Sequence, residues 1–477
     1  MEERKGFGSN FGFIMAAVGS AVGLGNIWGF PNKMGASGGA LFLIIYLVLA
    51  VFCGFIIMLG ELALGRKTGQ GAVGAYKVLS KKFGWMGWLG IASAFFILFF
   101  YCALGGYCIK YVVINVGDLF GAGFGSNGLT GGEVFGAFMG SPVESIIYGL
   151  IFVAITMVIV MGGIGGGIEK VCSIGMPCLF VALIICIIRA LTLPGAVDGL
   201  KYMFVPGWAV ANGVIAEAPS FFNVLSTAGG QMFFSLSLGM GAMITYGSYL
   251  DKKENLEKNA VMIVVLDTLV ALMAGLCVIP ARFALDPEGA LGGPSLLFIT
   301  MQNVFQKMGS VGPIFGILFY LLVVFAAISS SISLLEVITT HFVDQAREAG
   351  KGDKRKKYCV TAAALVGLGC ILVCADCLGG NNIAPWQLLG LESYAGWNDC
   401  WLDFWDMLSE GVMMPLGALL MSLMIGWEIG PEVVKNECEA TPGHKMGSFG
   451  FFKICIKVIT PLCMLFILYG QIKSFFG

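Results

Sequence analysis

The residues best suited to chemistry in this chain are mostly uncharged and lie inside apolar runs. Gly19-Ser20-Ala21-Val22-Gly23-Leu24-Gly25-Asn26 sets glycines and an asparagine midway along a stretch, Phe11 to Phe42, that is otherwise apolar enough for one helix. A backbone in hydrocarbon satisfies its N–H and C=O groups within its own helix, so a break at that depth is tolerated only where the freed groups meet a ligand or a cavity. Ser235-Leu236-Ser237-Leu238-Gly239-Met240-Gly241 is a second interruption of the same kind. Freed carbonyls offer a hard cation several oxygens without added charge, and freed N–H groups at a half-helix start favour an anionic group. Glu61, Asp267, Glu336 and Glu410 also fall in apolar stretches, where an ionisable group is a functional candidate by default. Broken helices of this type hold the ion and substrate sites of secondary transporters.

The elements that must position these residues are membrane spans. Hydrophobic residues make up 57% of the 477 and charged residues only 12%, with a mean hydropathy of +0.87. Soluble domains carry about 25% charged residues, so the composition is that of an all-α polytopic membrane protein. A net charge of −1 gives no sign of a nucleic-acid partner. Apolar stretches long enough to cross a bilayer fall near 11–34, 40–65, 88–116, 144–162, 169–190, 226–250, 258–283, 312–344, 358–376, 403–428 and 451–474. Alternate loops are basic, with Arg66, Lys67, Lys77, Lys81 and Lys82, then Lys170, then Lys252, Lys253 and Lys258, then Arg347 and the run from Lys351 to Lys357. The positive-inside rule puts these loops and the N-terminus in the cytoplasm and the C-terminus outside, in a cell's inner (plasma) membrane. The mixed charges of Met1 to Ser9 carry no signal-peptide pattern.

Two interrupted helices five spans apart imply a 5+5 inverted-repeat bundle, an odd number of spans per repeat forcing the inversion. The expected organisation is a cytoplasmic segment 1–10, a first repeat 11–190, an extracellular loop 191–225, a second repeat 226–428, and a loop with a peripheral eleventh span over 429–477. The 15 cysteines are scattered through apolar segments and read as small core hydrophobes. Cys374-Ala375-Asp376-Cys377 lacks a second pair or a nearby histidine to complete a metal site. A Cys377–Cys400 disulfide on the outer face is open, with no spacing rule to establish it.

Gly19 to Pro31 (GSAVGLGNIWGFP), Gly230 to Gly241 (GQMFFSLSLGMG) and Ala326 to Ser331 (AAISSS) occur in order. With Gly167-Ile168-Glu169-Lys170 they make the chain resemble the bacterial amino-acid branch of the neurotransmitter:sodium symporter family over nearly its whole length. The resemblance implies two sodium sites. One would use the Ala21 carbonyl, Asn26, Ser235 and Asp267 with the substrate carboxylate. The other would use the carbonyls of Gly19, Val22 and Ala326 with the hydroxyls of Ser329 and Ser330. The substrate carboxylate would meet the N–H groups of Leu24 and Gly25 and the Tyr101 hydroxyl. Carbonyls of Ala21, Phe234 and Ser235 would accept from its ammonium. Ile97, Phe234, Ser237, Met240, Ser330 and Leu334 would complete the pocket. Taken alone, Ser329, Ser330 and Ser331 read better as small residues at a helix interface, and Tyr101 as a core aromatic; their roles rest on the resemblance and on the order of the motifs.

Relatives that need chloride generally have Asn at the position of Asp267 and a chloride-binding Ser at that of Ala271. A fixed carboxylate replaces the anion here, which implies chloride-independent sodium coupling, with Asp267 able to carry a proton outward on the return step. By the same resemblance Glu61 braces the second break, Glu336 lies near an inner gate, and Arg4 and Asp344 form that gate's ion pair beside Phe7. Gly167 and Pro177 repeat a Gly-x9-Pro spacing that lets the fifth span unwind, with an ordinary proline kink as the competing reading. Tyr101 and Phe234 would form an outer lid.

One position departs from the family. The outer gate pairs an Arg in the first span with an Asp in the tenth; Asp406 fills the second place, but the first is Gly29. Lys33 and Arg282 are the cations at hand to replace it, and a third reading has Asp406 meet a cationic part of the substrate. Gly23, where monoamine-transporting relatives have Asp, leaves room for a substrate carboxylate. The expected activity is therefore sodium-coupled import of a neutral, large hydrophobic or aromatic L-amino acid. The alternatives are transport of an amine or cationic amino acid, or a substrate sensor that has lost turnover. No arrangement of catalytic residues suggests an enzyme.

Overall fold

Long unbroken runs of apolar residues with few charges can satisfy their backbone only as helices, and helix is what the computed structural model contains throughout the residues it describes, 6–351, 354–390 and 399–476. Among them, nine helices are long and apolar enough to cross a membrane, and a tenth crossing is the bent pair Asn10–Ala21 and Gly25–Ala36, whose halves meet at 48°. This pair is span 1. Spans 2 to 5 are Ala40–Thr68, Met86–Phe120, Pro142–Met161 and Ile164–Leu191. Span 6 is a second broken pair, Phe221–Ser235 and Ala242–Gly247, with a second half of only 6 residues. Spans 7 to 11 are Leu256–Leu285, Gly309–Glu348, Arg355–Asp376, Trp401–Glu428 and Phe449–Ser474.

Two boundaries differ from the sequence expectation for clear reasons. Span 5 starts at Ile164 rather than 169, because the glycine-rich run is wound as a π turn over Ile164–Glu169. Span 6 begins at Phe221 rather than 226, since Ser220 caps it by accepting from the Asn223 N–H at 3.2 Å. The stretch between spans 5 and 6 holds short helices at Ala196–Phe204 and Trp208–Ala211. The Cys377–Cys400 disulfide is not formed: both thiols are free, Cys377 donating to the Cys374 carbonyl and Cys400 accepting from the Asp403 N–H.

Spans 3 and 8, the longest helices, pack along each other and form a wall for the two broken spans. Span 1 lies against spans 5, 7 and 8, and span 6 against spans 2 and 11. At the first break Val22 turns extended. At the second, Ser237, Gly239 and Gly241 all have positive φ. Gly239 is doubly constrained, because a Cβ there would lie 2.3 Å from the Met414 carbonyl oxygen. The Glu61 carboxylate accepts from the Gly239 N–H at 2.7 Å, the brace that the sequence implied.

The basic ends of the spans are stapled together by Arg66, at the end of span 2. It is 1% exposed and pairs with Glu437 of the helix Glu432–Glu439 at 2.8 Å. It also donates to the carbonyls of Glu254 and Glu437. Removing one partner of a buried pair strands the other charge, at about 3–5 kcal/mol. Arg66→Ala is therefore expected to lower the midpoint of thermal unfolding in detergent sharply. The double variant Arg66→Ala/Glu437→Ala should lose clearly less than the sum of the single losses; simple additivity would refute the buried pairing.

Candidate ion and substrate site

The two breaks face each other, and each supplies what the other lacks. Ser237 Oγ, in the second break, donates to the Ser20 carbonyl at 2.8 Å. Gln231, one turn before Ser235 on span 6, donates through Nε2 to the Gly25 carbonyl at 2.6 Å. The Leu24 N–H donates to the Tyr101 hydroxyl of span 3 at 2.9 Å, so this N–H, expected to await a substrate carboxylate, already has a partner that the same carboxylate would share.

Around Asp267, fully buried on span 7, three neutral side chains converge. Asn26 Nδ2 donates to its Oδ1 at 2.8 Å and Ser235 Oγ to its Oδ2 at 2.9 Å. The Tyr46 hydroxyl of span 2 lies 3.5 Å from Oδ2 and 3.3 Å from Ser235 Oγ. The structure thus joins Asn26, Ser235 and Asp267, drawn from spans 1, 6 and 7, while Ala21 lines the neighbouring cleft. Tyr46 was not anticipated from sequence; a tyrosine inside the apolar run Ile45-Tyr46-Leu47 was the available signal. Ala271, one turn on from Asp267, is buried and offers no hydroxyl.

On the other side of span 1 the second oxygen set is assembled. Ser329 Oγ donates to the carbonyls of Val22 (3.2 Å) and Ala326 (2.9 Å). Ser330 Oγ lies 3.4 Å from the Gly19 carbonyl oxygen and 3.3 Å from that of Val22. All five expected ligands meet in one place. Both sets consist of hard oxygens, the donor chemistry of alkali and alkaline-earth cations rather than of zinc or copper, and a hydroxyl that donates to a carbonyl keeps lone pairs for a cation. One set carries a formal charge and the other none.

Between them lies a narrow cleft lined by Ala21, Gly23, Gly25, Ile97, Tyr101, Phe234, Ser237, Met240, Ser330 and Leu334. Its volume is about 10 Å³, room for about one water, so a larger ligand requires the side chains to part. A Cβ on Gly23 would lie 2.2 Å from Ser330 Oγ and 2.4 Å from the Tyr101 hydroxyl; the missing side chain keeps the cleft open to polar atoms. The Tyr101 and Phe234 rings cover it, with centroids 6.4 Å apart.

At the basic end Glu336 is met by Arg355 through both carboxylate oxygens, by the Tyr249 hydroxyl at 2.9 Å and by Thr340 at 2.8 Å. Arg355, read in the sequence only as part of a basic loop, also donates to the Val160 carbonyl. Phe7 packs edge-on against Phe13, Tyr246 and Tyr249. Asp344 accepts from the Gly71 N–H at 3.1 Å, while Arg4 lies outside the described residues. At the opposite end stand the two candidate replacements for the gate arginine. Arg282 is engaged by the Gly289 carbonyl. Lys33 forms its ion pair with Glu410 rather than Asp406, because Glu410, one turn along span 10, faces the second half of span 1. Pro177 sits within a continuous helix, Lys170–Leu191.

A family model described as the sodium:neurotransmitter symporter family matches residues 4–119 and 138–476. The sodium-dependent transporter YhdH of Bacillus subtilis is 33% identical over 96% of both chains, and a sodium-dependent transporter of Haemophilus influenzae 30% identical over 98% of both. The crystal structure of MhsT in complex with L-phenylalanine superposes with a TM-score of 0.84 at 34% identity, covering 98% of this chain and all of that one. Two broken spans flanked by hard-oxygen sets, in a bundle that agrees with these relatives from end to end, identify the chain as a multi-pass, sodium-dependent transporter that belongs to the sodium:neurotransmitter symporter family.

Proposed function

We propose that the protein imports a large neutral, hydrophobic or aromatic L-amino acid together with sodium by alternating access. The observation that carries the reading is the cleft at Gly23, where a backbone without a side chain faces the Tyr101 hydroxyl and Ser330. That space suits a substrate carboxylate set against the half-helix start at Leu24 and Gly25, with the ammonium on the carbonyls of Ala21, Phe234 and Ser235. The apolar remainder of the cleft, Ile97, Met240 and Leu334, suits an apolar side chain, and Met240 adapts its shape readily. The L-phenylalanine bound to MhsT, 34% identical, is a substrate of that kind.

Two sodium ions are expected, one on Ala21, Asn26, Ser235 and Asp267 and one on Gly19, Val22, Ala326, Ser329 and Ser330. With Asp267 as a fixed negative charge, no chloride is required, and the empty carrier takes a proton on Asp267 for the return. The basic loops, which include Arg66, Lys170 and Arg355, are cytoplasmic. The Lys33 ammonium near the Phe234 ring speaks against a cationic substrate side chain, which it would repel. The Arg355–Glu336–Tyr249 network speaks against a sensor, which has no need of a closure at the basic end.

Purified protein tested against the amino acids and biogenic amines in Na⁺, in K⁺ and in Na⁺ without chloride decides the reading. Stabilisation by large neutral amino acids that requires Na⁺ and not chloride is expected; stabilisation by amines alone would replace the substrate class. Ser330→Ala and Asn26→Ala should each raise the sodium concentration for half-maximal uptake roughly tenfold, the loss of about one oxygen ligand to a charged group, and unchanged sodium dependence would remove these residues from the sites. Asp267→Asn combined with Ala271→Ser is expected to make uptake depend on chloride; a folded, substrate-binding double variant indifferent to chloride would end the charge-substitution argument. Gly23→Ala should abolish amino-acid binding while costing only the roughly 1–3 kcal/mol of overpacking in thermal stability without ligand, read by thermal-shift titration; retained binding would remove Gly23 from the substrate site.

A further inference from the structure

A cavity of about 620 Å³ lies away from the substrate cleft, between the first half of span 6 and the end of span 11. Neither the two oxygen sets nor the substrate contacts use it. The two helices touch beside it: Gln471 Nε2 donates to the Ser226 carbonyl at 3.0 Å and Ser226 Oγ to the Ile467 carbonyl at 3.3 Å. The contact is close because Gly470 has no side chain; a Cβ there would lie 2.6 Å from Ser226 Cβ. Phe222, Leu225, Phe466 and Tyr469 supply apolar walls. Phe222, Phe466 and Tyr469 are 66%, 53% and 66% exposed, so the cavity opens outward from the bundle. Lys473 is the one charged residue in its lining, and it makes no ion pair among the described residues.

Depth and chemistry together select the occupant. Phe222 is the second residue of Phe221–Ser235, and Lys473 the last but one of Phe449–Ser474. Both stand within a turn of the helix ends remote from the basic loops, at the level of lipid headgroups, where aromatic side chains collect. A cavity with apolar walls at that level is bathed by lipid rather than bulk water, and its volume is that of a ligand site. An ammonium with no carboxylate partner leaves a positive charge at the rim, which an anionic headgroup complements. Asn223, also in the lining, offers amide donors to phosphate oxygens. We propose that this cavity holds an anionic phospholipid of the leaflet opposite the basic loops. Its phosphate lies on Lys473 and Asn223, and an acyl chain runs along Phe222, Leu225 and Phe466. The half-helix it rests on ends in Phe234 and Ser235, so the lipid bears on the element that carries one ring of the cleft's cover.

The test uses full-length protein purified in detergent and stripped of lipid. The variants are Lys473→Gln, Lys473→Glu, Leu225→Trp and, as a control cation at the basic end, Lys445→Gln. Native mass spectrometry titrates phosphatidylglycerol and phosphatidylcholine of the same acyl chains, and hydrogen–deuterium exchange follows segments 221–227 and 466–474. Phosphatidylglycerol is expected to bind in preference to phosphatidylcholine and to slow exchange in those two segments. Lys473→Gln should weaken that binding roughly fivefold, the worth of one lysine at an anionic headgroup. Lys473→Glu should remove the preference, and Lys445→Gln should match the parent. Leu225→Trp, which narrows the apolar part, should weaken both lipids without changing their order. Equal binding of the two lipids, protection confined to other segments, or a Lys473→Glu variant that keeps the preference would overturn the proposal. Protection by glycerol 3-phosphate alone would do the same by marking a phosphate site. So would a dimer in light scattering that protects these segments without lipid, since the occupant would then be a second copy of the chain.

Discussion

The whole arrangement depends on one requirement: two helices are interrupted where no water is available to satisfy their backbones. Each interruption is repaired by named side chains from elsewhere. Ser237 serves the Ser20 carbonyl, Gln231 the Gly25 carbonyl, Tyr101 the Leu24 N–H, and Glu61 the Gly239 N–H. Ser329 and Ser330 serve carbonyls that lie at the end of the first half-helix. Because its partners belong to spans 3, 6 and 8, the break in span 1 holds its shape only inside the assembled bundle. Hydroxyls suit this work, since they donate to a carbonyl and still offer lone pairs to a cation. The backbone is thus kept satisfied by groups that retain acceptor capacity of their own.

The four intramembrane carboxylates show how one residue type is put to different uses by its partners. Glu61 is met by a backbone N–H, Glu336 by a guanidinium and Glu410 by an ammonium. These three fasten one element to another. Asp267 is met by Asn26, Ser235 and Tyr46, all of which stabilise its charge without neutralising it. A monovalent cation is the natural complement of such a site, and the neutral serine set across span 1 has no comparable charge to bind it as firmly. Of the two oxygen sets, only the one at Asp267 contains an ionisable carboxylate; the serine set is neutral.

Much of this was legible in the sequence, and the rest was not for identifiable reasons. A glycine-rich interruption within an apolar run is a local signal, so both breaks and their serines could be read directly, and the family pattern then joined Asn26 to Asp267 and Ser329 to Val22. Pairings that depend on where a long side chain ends were not accessible. Lys33 was a candidate, but its choice of Glu410 over Asp406 turns on which face of span 10 meets span 1. Arg355 looked like one more basic loop residue, because nothing local links it to Glu336 on the preceding span. Gln231 sat inside a quoted motif, yet its donation to the Gly25 carbonyl is a fact about packing. The open disulfide between Cys377 and Cys400 failed similarly, since adjacent loops do not ensure that two sulfurs face each other.

The two ends of the cleft are closed by different means, and the difference bears on mechanism. Toward the basic loops, a rigid guanidinium engages Glu336 through both oxygens and is fixed in turn by the Val160 carbonyl, with Tyr249 and Thr340 adding hydrogen bonds and Phe7, Phe13 and Tyr246 packing below. At the other end a single flexible ammonium meets Glu410, and one aromatic layer, Phe234 with Tyr101, covers the cleft. A planar fork loses less freedom per bond and tolerates less misalignment than an ammonium on a four-carbon stem. The first closure must be dismantled as a unit, whereas the second can yield by local motion of one side chain and one half-helix. The two closures therefore differ in how far they can yield one side chain at a time.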